Sequence, residues 1–77
     1  MKYAVEIFFS KEDEGYIATV PELPGCSAFG ETEEQALAEI KIAVQLWLET
    51  AKKDGRKIPK PRGKELLKEF VHSYQTA

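Results

Sequence analysis

One capped amphipathic stretch constrains the chain more than any other feature. Thr32 is placed to N-cap a helix, Gln35 three residues on completes a capping box, and Glu31, Glu33 and Glu34 put negative charge where the helix dipole favours it. From there Ala36, Leu37, Ile40, Val44, Trp47, Leu48 and Ala51 recur at three- and four-residue intervals. They form an apolar stripe along about 20 residues, roughly 30 Å of helix. Lys52 and Lys53 sit at the negative end of the dipole, and Gly55 suits the C′ position. A stripe this long needs a matching apolar surface. In a chain of 77 residues, one small domain, the segment ahead of the helix must supply most of it.

That segment reads as strands. Tyr3 to Ser10 carries Val5, Ile7 and Phe9 at alternate positions, Lys11 to Gly15 is a polar loop of about five residues, and Tyr16 to Val20 resumes the alternation. Gly15 is expected to take a positive φ. Setting Phe9 against Tyr16 brings Ile7 to Ala18 and Val5 to Val20, which collects the larger apolar set on one face. Ala4, Glu6, Phe8, Ile17 and Thr19 fall on the other. Pro21-Glu22-Leu23-Pro24-Gly25 cannot continue a central strand, because prolines lack the ladder donor and Pro-Gly favours a turn. Cys26 to Phe29 makes a third short strand, ended by Gly30.

The expected fold class is α+β: an antiparallel sheet of three strands, or four if one more closes it, with one long helix packed on one face. The β-β-β-α core spans residues 1–58, a Pro-rich basic linker spans 59–63, and residues 64–77 belong to the same domain. In that last segment Leu66, Leu67, Phe70 and Val71 fit a short helix, while Phe70 to Thr76 also fits an edge strand. One helix can cover only one face of the sheet. Phe8 and Ile17 become neighbours on the bare face, and the expectation is a homo-oligomer formed through it, the competing reading being that Leu66, Leu67, Phe70 and Val71 fold back over that face. Trp47 lies on the helix stripe, where core packing is the leading reading and an interface anchor the other.

The residues offer little for catalysis. Glu6, Glu39, Glu65 and Glu69 could in principle converge on metal ions, but their positions read as solvated surface acids. His72 is the only histidine and no nucleophile motif accompanies Ser10, Ser27 or Ser73. Cys26 has no adjacent base to activate it and reads as a packed small thiol; with His72 alone it cannot complete a zinc site. No catalytic residue, metal or cofactor is expected. Nor is a membrane span or signal peptide, so the chain is expected to be cytoplasmic.

Charge is divided along the chain. Residues 1–50 hold ten acids against three bases and residues 51–77 three acids against eight bases, or −7 and +5. Seven lysines or arginines fall between Lys52 and Lys64, yet no aromatic is interleaved for base stacking, and the pI near 5.4 disfavours nucleic acid as a partner.

Gly15-Tyr16-Ile17-Ala18, Val20-Pro21-Glu22-Leu23-Pro24-Gly25-Cys26 and Gly30-Glu31-Thr32-Glu33-Glu34-Gln35-Ala36-Leu37, in this order and spacing, resemble the HicB family of antitoxins. The resemblance covers roughly residues 1–60, including the exit Ile58-Pro59-Lys60-Pro61. It implies a partial ribonuclease H fold without that nuclease's metal site, usually closed by a fourth strand. It also implies a non-catalytic protein that binds and blocks a small, basic, RNA-cleaving HicA toxin. Many relatives add a carboxy-terminal DNA-binding domain, for which the 14 residues after Gly63 are too few. The alternative reading is a stand-alone nucleic-acid-associated or degenerate ribonuclease H-like domain.

Overall fold

The computed structural model describes residues 1–63 and 65. Strands β1 (Glu6–Ser10), β2 (Gly15–Thr19) and β3 (Ser27–Gly30) form an antiparallel meander in the order β1-β2-β3, with helix α1 (Glu33–Lys53) after them. This is the α+β architecture expected from the sequence. The predicted helix or edge strand within residues 64–77 lies, apart from Glu65, outside the described residues.

The register pairs Ile7 with Ala18 and Phe9 with Tyr16, as the alternation requires, and continues across to β3 with Ala18 opposite Ala28 and Tyr16 opposite Gly30. Alternate residues therefore place Ile7, Ala18 and Ala28 under the helix. The core is Ala18, Val20, Leu23, Cys26, Ala36, Ile40 and Val44, with Tyr3, Val5, Ile7, Tyr16, Trp47 and Leu48 packed around it. Leu23 is 1% exposed. The Pro-rich turn holds it there: Leu23 N–H donates to Val20 O and Cys26 N–H to Leu23 O, each at 3.0 Å.

Gly30 sets how closely the helix approaches. A methyl group added there would sit 2.2 Å from the backbone nitrogen of Ala36, so the first turn of α1 rests directly on the β3 backbone. The helix lies over β3 and β2, with β1 at its margin. Phe9, which the alternation places beneath the helix, is instead 59% exposed. It shares the covered face by register, but it stands on the edge strand beyond the helix's reach. There it packs edge-on against Tyr16, with ring centroids 5.4 Å apart.

Local chemistry departs from expectation in three places. Thr32 caps α1, its hydroxyl oxygen accepting from Gln35 N–H at 3.1 Å, but the Gln35 side-chain carbonyl accepts from Glu31 N–H at 2.9 Å rather than from the cap residue itself. The positive φ of the first hairpin falls on Glu14, at 53°, and not on Gly15. Strand β1 begins at Glu6 rather than Tyr3. Tyr3 instead packs on the core and its hydroxyl donates to the carbonyl of Pro59, which fastens the segment after the helix to the segment before β1. The C-terminal end of α1 agrees with expectation, with Gly55 at φ 71° and Lys52 and Lys53 in the last turn.

Candidate partner-binding face

Phe8, Ile17 and Phe29 are cross-strand partners and form a row across the face of the sheet opposite α1, which no other described element covers. Phe8 is 50% exposed and Phe29 43%, with half-buried Ile17 between them. An aromatic–aliphatic–aromatic row of this kind stabilises the sheet through its cross-strand contacts while leaving ring faces in water. The alternation within β1 and β2 does not reveal Phe29 as part of this face. Its signal is the absence of a side chain at Gly15: a methyl there would sit 2.4 Å from the Phe29 ring and 2.9 Å from the Gly30 carbonyl oxygen, so glycine makes room for the aromatic against β2.

Polar groups frame the row at both ends. Toward one end Glu6 accepts from the Thr19 hydroxyl at 3.4 Å, and Ser27 is exposed beside Thr19. Toward the other the Ser10 hydroxyl donates to Asp13 at 2.6 Å, which steadies a hairpin loop that also carries Glu12 and Glu14. The surface is thus apolar at its centre and acidic at its margins, a pattern suited to a partner with apolar anchors and basic surroundings.

The structure brings Phe8 and Ile17 together and sets Trp47 apart from them. The Trp47 indole N–H donates to the carbonyl of Pro24 at 2.9 Å, and the ring packs against the core from the helix side. The carboxylates weighed for metal binding are dispersed. Glu6 stands on β1, while Glu39 lies on the flank of α1 beside Phe29 and Gly30, at the opposite edge of the sheet. Glu65 is exposed beyond the Pro-rich exit; Glu69, His72 and Ser73 lie outside the described residues. Cys26 is buried, and desolvation pushes its thiol above the ordinary 9.0, which favours the neutral form. No helix among the described residues is long and apolar enough to cross a membrane.

Glu22 holds a position that no local sequence pattern announces. Its carboxylate accepts from Ala4 N–H at 3.3 Å and from Arg62 N–H at 2.7 Å, joining the amino-terminal segment to the basic exit.

Among the described residues, fold and surface together define a small β-β-β-α domain whose sheet carries its helix on one face. The chain matches, over residues 3–75, the family described as the HicB-like antitoxin of bacterial toxin–antitoxin systems, and it belongs to that family. It is similar to UPF0150 protein Ta0767 of Thermoplasma acidophilum, 42% identical over 66 residues that cover 86% of this chain and 94% of the relative. It also resembles UPF0150 protein ssl0259 of Synechocystis, 44% identical over 59 residues covering 77% and 80% of the two chains. An uncharacterised 14.9 kDa protein of Haemophilus phage HP1 is 33% identical over 54 residues, 70% of this chain but 41% of the phage protein. No solved structure matches. Membership implies a toxin as partner and points to a non-catalytic role.

Proposed function

We propose that this protein neutralises a small, basic, RNA-cleaving toxin of the HicA type by non-catalytic binding, with Phe8, Ile17 and Phe29 as the central contacts. The observation that carries the reading is the exposed apolar row framed by acids, in a chain whose family is that of antitoxins. The acidic margins and the −7 of residues 1–50 speed encounter with a basic partner, while the aromatic row supplies the desolvated centre that holds it. A toxin covered in this way cannot admit the RNA phosphates it cleaves. In the toxin's absence the same face pairs with a second copy of the chain, so that self-association and toxin binding compete.

The test is co-purification of this chain with a small basic protein, followed by RNA cleavage by that partner with and without this chain. Stoichiometric inhibition is expected. Phe8→Glu should weaken the complex by roughly tenfold or more, because it puts a charge at the centre of the interface. It should also abolish self-association in sedimentation while leaving the fold intact. Undiminished cleavage at excess antitoxin would overturn the reading. Salt-sensitive RNA binding by the isolated chain would instead favour a nucleic-acid-associated domain built on the Lys52–Lys64 segment.

A further inference from the structure

The Phe8–Ile17–Phe29 row ends on β3, and among the described residues no strand lies beyond β3. One bond assigns the main-chain groups of that outer edge. Val20 N–H donates to Cys26 O at 3.1 Å, and this pair continues the register that sets Ala18 opposite Ala28 and Tyr16 opposite Gly30. Opposed residues of antiparallel strands alternate between pairs that exchange hydrogen bonds and pairs that do not, so Ala28 and Gly30 bond to β2 while Ser27 and Phe29 turn their N–H and C=O groups outward. Those four groups are a template for another strand. Ser27-Ala28-Phe29-Gly30 carries none of the charged residues or prolines that blunt an exposed edge.

The surroundings of the edge state what such a strand must carry. Beside it lies a groove of about 390 Å³, with Phe29 and Gly30 on the sheet side, Glu31 ahead of α1, and Ala38 and Glu39 on the helix. Side chains of an added strand alternate between the two faces of the sheet. One placed opposite Phe29 joins the apolar row, where the Phe29 ring is 43% exposed. Its two neighbours fall on the helix side, where exposed Glu31 and Glu39 line the groove. Charge complementarity there asks for lysine or arginine. A second copy of β3 does not meet this requirement, because it has no basic residue and brings the same acids with it.

We propose that the outer edge of β3 takes up an extended segment of the basic partner, paired main chain to main chain through Ser27 and Phe29, with an apolar side chain opposite Phe29 and basic side chains on either side of it. The proposal rests on the antitoxin reading for its partner and adds how the contact is made.

Amide hydrogen exchange, followed by NMR on the chain alone and on its complex with the co-purified basic protein, tests it. The Ser27 and Phe29 amides should exchange freely in the chain alone and slow by roughly tenfold or more in the complex. Ser27→Pro, which removes an outward N–H at the first residue of the strand, should weaken the complex roughly tenfold relative to Ser27→Ala, which keeps it. Glu39→Lys should weaken it too, and more so at low salt. Should Ser27→Pro fail to fold, the exchange rates of the unaltered chain decide. A complex that blocks RNA cleavage while both amides exchange as in the free chain would overturn the edge pairing and leave the antitoxin reading standing, whereas failure to form any complex would remove both. Protection of the two amides in the free chain would also overturn the proposal: lost on dilution, it assigns the edge to a second copy, and kept on dilution, to the chain itself.

Discussion

The two faces of the sheet differ most along β2 and β3, where the helix comes closest. There the helix side carries Ala18 at 0% exposure, Ala28 and Gly30, with the larger Ile7, Phe9 and Tyr16 toward β1, while the opposite side carries Phe8, Ile17 and Phe29. The small residues have a mechanical reason, since the first turn of α1 rests on the β3 backbone and larger groups would lift it. The large residues have no counterpart within the described part of the domain. Burying a side chain of that size contributes about 1.5–3 kcal/mol, so leaving three of them at least partly in water is a cost the fold alone does not explain. The covered face is shaped by packing and the bare face by what it meets.

Substitutions chosen to blur this distinction should therefore have unequal effects. The largest is expected at Gly30. Its added methyl in Gly30→Ala would collide with the backbone of Ala36 and not with a movable side chain, so a loss of roughly 3 kcal/mol or more is expected in urea denaturation. A change under about 1 kcal/mol would mean that the helix can shift and that the covered face is not tightly specified. Ala18→Leu comes next, at roughly 1–3 kcal/mol, because the packing around a fully buried alanine must part to admit the larger side chain. Ile17→Leu, the neighbouring position on the same strand but on the other face, should cost less than about 1 kcal/mol. Equal losses at these neighbours would erase the comparison. Gly15→Ala should cost less than Gly30→Ala, about 1 kcal/mol: the closest obstruction, the Phe29 ring, can swing aside, while the Gly30 carbonyl oxygen, 2.9 Å from the added methyl, is backbone and must shift slightly. Toxin affinity should nevertheless fall more than stability does, because the swing takes the Phe29 ring out of the row. If affinity stays unchanged while the ring moves, Phe29 is not part of the contact.

How much of this is legible in the sequence depends on how local each determinant is. The helix can be read from Thr32 to Gly55 because its cap and stripe lie within the segment they define. The β1–β2 register comes from alternation across a short loop. Phe29 escapes such a reading because its face depends on the β2–β3 register, set across a turn whose two prolines interrupt the alternation. Residue type alone assigns the positive φ to Gly15, whereas the backbone places it on Glu14 and uses the glycine to accommodate a ring fourteen residues away in sequence. Phe9 reads as covered because periodicity assigns a face but does not say how far across the sheet the helix reaches. Glu22 carries no local signal, since both of its partners are distant in the chain.

Glu22 has a topological consequence. A single carboxylate receives N–H groups from Ala4 and Arg62, so the two ends of the core meet within the span of that one side chain. The path from residue 4 through sheet and helix to residue 62 is nearly a closed ring. Its order could in principle be permuted, with a short peptide joining the present ends and a new opening cut in the exposed Lys11–Glu14 loop, without moving any strand from its place.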